Sequence, residues 1–216
     1  MKILHEFKQK VSVGEETKEY TIRLKQLSRR DKEDISVVYN AEYGKALSKG
    51  LAPHMTLRKN AIDSGGLLAK QEVERAEEVY RAVFAKGNEL QLAVAEKRQE
   101  DEISKIQQEI DDLWKEYQNY ERPSAELYSR SAEFEAEKNC VTWAVLNFTY
   151  VLNGEREEEL FPGSIADSRF NYYCECVDNN KELEKIVFDK SYGCYFQAIK
   201  SPETATKEFF EALTDE

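Results

Sequence analysis

Histidine is scarce in this chain: His5 and His54 are the two present among 216 residues. Neither stands in a carboxylate or cysteine motif, so imidazole-based triads and His-rich metal sites have little to build on. Cysteine is sparse too. Cys140, Cys174, Cys176 and Cys194 are too few for a disulfide framework in a chain this long, and free buried thiols in a reducing cytosol are expected. Cys174-Glu175-Cys176 is spaced more tightly than the paired clips of structural zinc sites, so no metal is expected. Glycines at 65 and 66 match neither phosphate-loop pattern, so no nucleotide cofactor is expected either.

Positive charge falls short as well. Lys and Arg total 31 against 42 Asp and Glu, a formal net charge of -11. That balance excludes the basic footprint of a nucleic-acid binder and docking on anionic lipid. No apolar run approaches the ~18 residues of a membrane span, and the first residues, Met1-Lys2-Ile3-Leu4-His5-Glu6, lack the apolar core of a signal peptide. Charged residues make up 34% and hydrophobic ones 41%, as in helix-rich proteins with much exposed surface.

Proline is the last shortage, and it organises the chain. Between Pro53 and Pro123 nothing forbids a helix, and one long helical stretch is expected from Leu68 to Tyr120. In its second half Ile103, Ile106, Ile110, Leu113, Tyr117 and Tyr120 recur at spacings of three and four, the seam of a coiled coil. An uninterrupted helix of ~50 residues would be roughly 75 Å long. The seam therefore needs a cover, either the chain's own next helix or a partner. Gly87-Asn88 marks a candidate kink, and Pro123 is expected to end the element.

Before this stretch, residues 2–25 read as a β-hairpin around Gly14, with Tyr20, Ile22 and Leu24 on one face. Ser28-Arg29-Arg30-Asp31 has the form of a capping box. It opens a helix bearing Ile35, Val38, Tyr39 and Leu47 that closes at Gly50 and covers the hairpin. A short helix follows Pro53. Beyond Pro123, Ser124 is expected to cap a third long helix closing at Asn153-Gly154, with its densest apolar stretch around Trp143. The acidic run 155–159 reads as a loop. Two or three short helices follow, the last introduced by Ser201-Pro202-Glu203. Tyr172, Tyr173, Tyr192 and Tyr195 suit a helical core and lack the basic groove of a base-stacking platform.

The expected fold is mainly α with a small N-terminal β-hairpin (α+β), a long central helix or helical hairpin, and a C-terminal helical bundle. Three segments are expected: 1–66, 67–122 and 123–216. No catalytic constellation emerges, and the reading is of a protein that is not an enzyme.

A strand with Tyr20-Thr21-Ile22-Arg23 leads to a helix with Asp31, Tyr39-Asn40 and Ala46-Leu47. Gly50-Leu51, Gly65-Gly66, a long charged helix and Ser131-Ala132-Glu133-Phe134-Glu135-Ala136-Glu137 follow. That order resembles a family of tailed-phage virion proteins related to T4-like viruses. Its N-terminal layout is similar to phage tail assembly chaperones. The resemblance implies a non-enzymatic structural or morphogenesis protein that acts through helical surfaces. Its partners would be other virion or tail-assembly proteins, or further copies of itself, in the host cytoplasm or inside the virion. The alternative is a phage-encoded coiled-coil adaptor or regulator of a host protein.

Overall fold

The structure, a computed structural model, describes residues 2–13, 16–65, 70–154 and 156–214. Among these residues it is mainly α, with eight helices and four strands. The strands form one antiparallel sheet in the order β1-β2-β3-β4.

The chain divides into two compact units, one made of residues 1–42 and 136–216 and the other of residues 43–135. This differs from the three consecutive segments expected from sequence. The reason is strand pairing: the second half of the chain carries strands that belong beside the first hairpin.

The first unit is built on that sheet. β1 (Ile3–Val13) and β2 (Glu16–Lys25) form the expected hairpin, with its turn at Gly14 outside the described residues. His5, Phe7 and Val11 are buried on one face of β1, with Ile22 and Leu24 of β2 beside them. The register shifts between Ile3 and His5, and Ile3 is left exposed. α1 (Arg29–Ser48) opens on the expected box: the Ser28 N–H donates to Asp31 at 2.7 Å and the Asp31 N–H to Ser28 Oγ at 3.3 Å. Ile35, Val38 and Tyr39 then lie in the core with Phe7, Ile22 and Leu24.

The third long helix expected from sequence is shorter at both ends. α5 (Ala132–Phe148) starts behind Ser131, whose hydroxyl accepts the Phe134 N–H at 3.2 Å; Ser124 is not its cap. After Phe148 the chain turns extended, and Thr149–Asn153 forms β3. β3 pairs with β2 (Ile22 opposite Val151) and with β4, Arg156–Glu159. Asn153 is thus the last residue of a strand, opposite Arg156, with Gly154 after it at φ 64, and the acidic run is largely a strand. Its charge is offset across the sheet. Glu157 meets Arg23 at 2.5 Å and Lys25 at 2.7 Å, which holds its carboxyl below the usual carboxylate range.

α6 (Ala166–Asp178), α7 (Glu182–Lys200) and α8 (Lys207–Thr214) complete this unit. The last helix begins behind Thr206, whose hydroxyl accepts the Phe209 N–H at 3.3 Å, and not at Ser201-Pro202. Val141, Ala144, Val145 and Phe148 pack with Phe161, Val187 and Tyr195. The dense apolar stretch expected around Trp143 does supply this core, but Trp143 itself is half-buried at its margin and does not mark its centre. Tyr195 does mark it. Fully buried, its hydroxyl lies 3.0 Å from the Lys25 carbonyl and 2.8 Å from that of Phe148. One phenol thereby ties the end of β2 to the end of α5.

All four cysteines are free. Cys140, Cys176 and Cys194 are buried and Cys174 is half-buried. Burial pushes the Cys140 thiol up to about 11 and that of Cys194 to about 12.

The second unit contains the long helical stretch, which is not one helix. α3 (Lys70–Ala95) and α4 (Glu100–Tyr128) are joined by a tight turn and packed on each other. The stretch expected from Leu68 thus begins, within the described residues, at Lys70; Leu68 lies outside them. Gly87 stays helical. The break comes at Lys97, in the left-handed region at φ 54. The Arg98 N–H donates to the Ala93 carbonyl at 3.0 Å and the Lys97 N–H to that of Val94 at 3.1 Å, a Schellman closure with lysine where glycine is usual. Gly50 closes α1 by the same pair of bonds, at φ 89.

α4 opens with Glu100, Asp101 and Glu102, whose charge suits a helix N-terminus. It continues through Pro123 to Tyr128. The lost backbone bond is outweighed by packing at the far end, where the Tyr128 ring stands edge-on to His54 of α2 (His54–Asp63) at 5.3 Å and to Phe134 at 5.8 Å. Among the described residues no helix is long and apolar enough to cross a membrane.

Candidate interaction surface

The two faces of the α3–α4 hairpin differ in what they leave to solvent. All six seam residues lie on the side of α4 turned to α3. Ile106 and Ile110 are buried in a cluster with Ala93, backed by Leu90 and Ile103; Leu113, Tyr117 and Tyr120 are half-buried. The cover is the preceding helix, and not the following one. α3 can do so because Val79, Val83, Leu90 and Ala93 repeat at helical spacing along the facing side. The seam is therefore interior to the hairpin.

On a helix of about 3.6 residues per turn, Arg75 and Lys86 fall on one side of the Val79–Val83 line, and Tyr80 and Phe84 on the other. Each flank is built accordingly. On the first, Lys86 reaches Glu109 at 2.6 Å and Arg75 reaches Glu116 at 3.6 Å, with Arg75 also bonded to the Tyr120 hydroxyl. These crossed pairs fix the antiparallel register, although exposed pairs of this kind contribute under ~1 kcal/mol each.

The second flank is aromatic. Tyr80 lies 5.3 Å from Phe84, 5.3 Å from Tyr117 and 6.4 Å from Trp114, and Trp114 lies 5.6 Å from Tyr117. Packing onto each other fixes these rings without hiding them. Phe84 remains 60% exposed, and Tyr80 and Trp114 40% each. Burial pushes the Tyr117 phenol above its ordinary value, and the Glu121 carboxylate that accepts its hydrogen bond adds to the shift. Rigid, half-exposed aromatic side chains are the anchors that protein interfaces favour. In the sequence Tyr80 and Phe84 are two aromatic residues at helical spacing within one uninterrupted stretch. That Trp114 joins them could be seen only once the stretch folded back at Lys97.

A concave feature lies in the first unit, an open groove of about 790 Å³ bordered by β1, Lys190, Glu211 and Thr214. His5 Nε2 lies 2.9 Å from Thr214 Oγ1, and its ring packs against Phe7 and Phe210. Lys190 donates to the Thr214 carbonyl at 2.8 Å and so caps the end of α8. On the rim, Lys8 and Glu19 pair at 2.8 Å. These polar groups are spent on one another, and they hold the C-terminal helix against the sheet. Among the described residues no three His, Cys, Asp or Glu side chains converge as a metal site. No protein-family model, no curated protein and no solved structure matches this chain.

Proposed function

We propose that this chain is a non-enzymatic phage structural or morphogenesis protein, working by protein–protein contact through its helical hairpin. The observation that carries the reading is the exposed ring cluster of Tyr80, Phe84 and Trp114, held in place by its own edge-to-face packing. An apolar patch that is both rigid and exposed is a docking feature more than a packing accident. The phage assignment rests on the order of motifs from Tyr20 to Glu137 and on the acidic character of the chain.

Mass spectrometry of virions purified from the encoding phage tests it. A virion component is present in stoichiometric amount. An assembly chaperone is absent from the particle, and deletion of its gene leaves tails unfinished. A chain absent from virions whose deletion leaves assembly intact would overturn the proposal and favour a regulator of a host protein.

A further inference from the structure

α3 carries a second stripe beside the one it turns to α4. Tyr80, Phe84, Gly87, Gln91 and Val94 follow one another at spacings of four, three, four and three, the same heptad rhythm as the covered seam. This stripe is open: Phe84 is 60% and Val94 56% exposed. At its centre, a side chain built on Gly87 would meet nothing within 4 Å. A glycine inside a helix costs ~1 kcal/mol relative to alanine, and nothing within the hairpin explains this one. The stripe thus has its largest exposed side chain, Phe84, one turn away from a position with no side chain, Gly87.

We infer that the occupant of this stripe is a second copy of the chain, its α3 lying antiparallel so that Phe84 of each copy enters the hole at Gly87 of the other. Two-fold symmetry makes that exchange reciprocal: a contact of residue 84 with residue 87 implies the converse contact at the other end. Tyr80 then stands opposite Gln91 of the second copy, a phenol facing an amide.

Charge favours the same occupant. A chain of net charge -11 repels its own copy over much of its surface. On α3 the stripe is edged by the amide Asn88 and by Glu77 and Arg81, which neutralise each other at 3.4 Å; the carboxylates Asp111 and Glu121 stand on α4, bonded to Gln107 and Tyr117. Two such strips meet without like charges at the centre, whereas a strongly basic partner would find no row of carboxylates to bind. The inference rests on the premise that the hairpin acts by protein–protein contact, and it names the partner.

Sedimentation velocity of the full chain at tens of micromolar tests it, with circular dichroism on every variant. The parent sediments as a dimer. Phe84→Asp becomes a monomer of unchanged helicity, with its dissociation constant raised about tenfold or more. Gly87→Phe alone also loses the dimer by filling the hole, and the exchanged variant, Phe84→Gly with Gly87→Phe, recovers it. Should Phe84→Asp unfold the hairpin, Val94→Asp applies the same test at the end of the stripe. A monomeric parent overturns the inference and leaves the flank to a foreign partner or to solvent. A dimer indifferent to Phe84→Asp overturns it by placing the contact elsewhere. An exchanged variant that stays monomeric overturns the antiparallel register. None of these results depends on the virion measurement, so either proposal can fail without the other.

Discussion

The two units solve the problem of burial differently. In the first, a sheet and the helices around it enclose Tyr195, Phe161, Ile22 and Val145 almost completely. In the second, the α3–α4 hairpin is two helices thick, and its cluster closes over Ala93, Ile106 and Ile110 with help from Leu90 and Ile103. A pair of helices has no third layer to shield its flanks, so the rings at Tyr80, Phe84 and Trp114 stay in solvent. Thickness thereby separates the two cores: the first unit encloses whole side chains, whereas the hairpin buries a single seam.

The largest effect expected to sharpen this contrast is in the thick unit. Tyr195→Ala removes a fully buried ring and the one hydroxyl that the Lys25 and Phe148 carbonyls share, at a cost of about 3–5 kcal/mol. Chemical denaturation of the variant should show that loss, and a cost under about 1 kcal/mol would displace Tyr195 from the centre of the core.

Ile106→Ala is expected to cost about 2–5 kcal/mol as well, but within the hairpin. Amide hydrogen exchange should report faster opening of residues 70–128 and unchanged protection of β2 and α7. Uniform loss of protection in both units would show that they unfold as one and erase the comparison.

The smallest effect is a gain. Lys97 occupies a left-handed backbone position that costs a side-chain-bearing residue about 1 kcal/mol, so Lys97→Gly should stabilise the hairpin by roughly that amount. A destabilised variant would mean that the lysine side chain contributes more than its backbone strain.

What sequence made legible depends on how local each element is. Period-two patterning at Tyr20, Ile22 and Leu24 and the box at Ser28–Asp31 located β2 and the start of α1, because each depends on residues close in the chain. The heptad seam of α4 was equally visible, but its cover was not. A left-handed lysine carries no compositional signal, whereas Gly87 carries one and is helical. Pro123 drew the boundary too early because Tyr128, five residues on, has tertiary contacts that outweigh one missing backbone bond. Asn153-Gly154 was a fair hairpin signal. It passed for a helix end because the apolar run before it, Val141 to Leu152, changes from helix to strand with no punctuation at Phe148. The aromatic flank lay beyond local reading altogether, since Trp114 meets Tyr80 only when α3 and α4 are folded together.

The division of the chain also sets an order of events during synthesis. β2 emerges from the ribosome early, yet its neighbour in the sheet is β3, which pairs Thr149 with Leu24. At ~5–20 residues per second, translation supplies that strand roughly ten seconds later. A two-stranded hairpin is marginal by itself, and in that interval the edge of β2 is open to any extended chain nearby. The helical hairpin has both of its helices once Tyr128 is made, before β3 exists. The hairpin can therefore fold while the first unit still lacks the strands that complete its sheet.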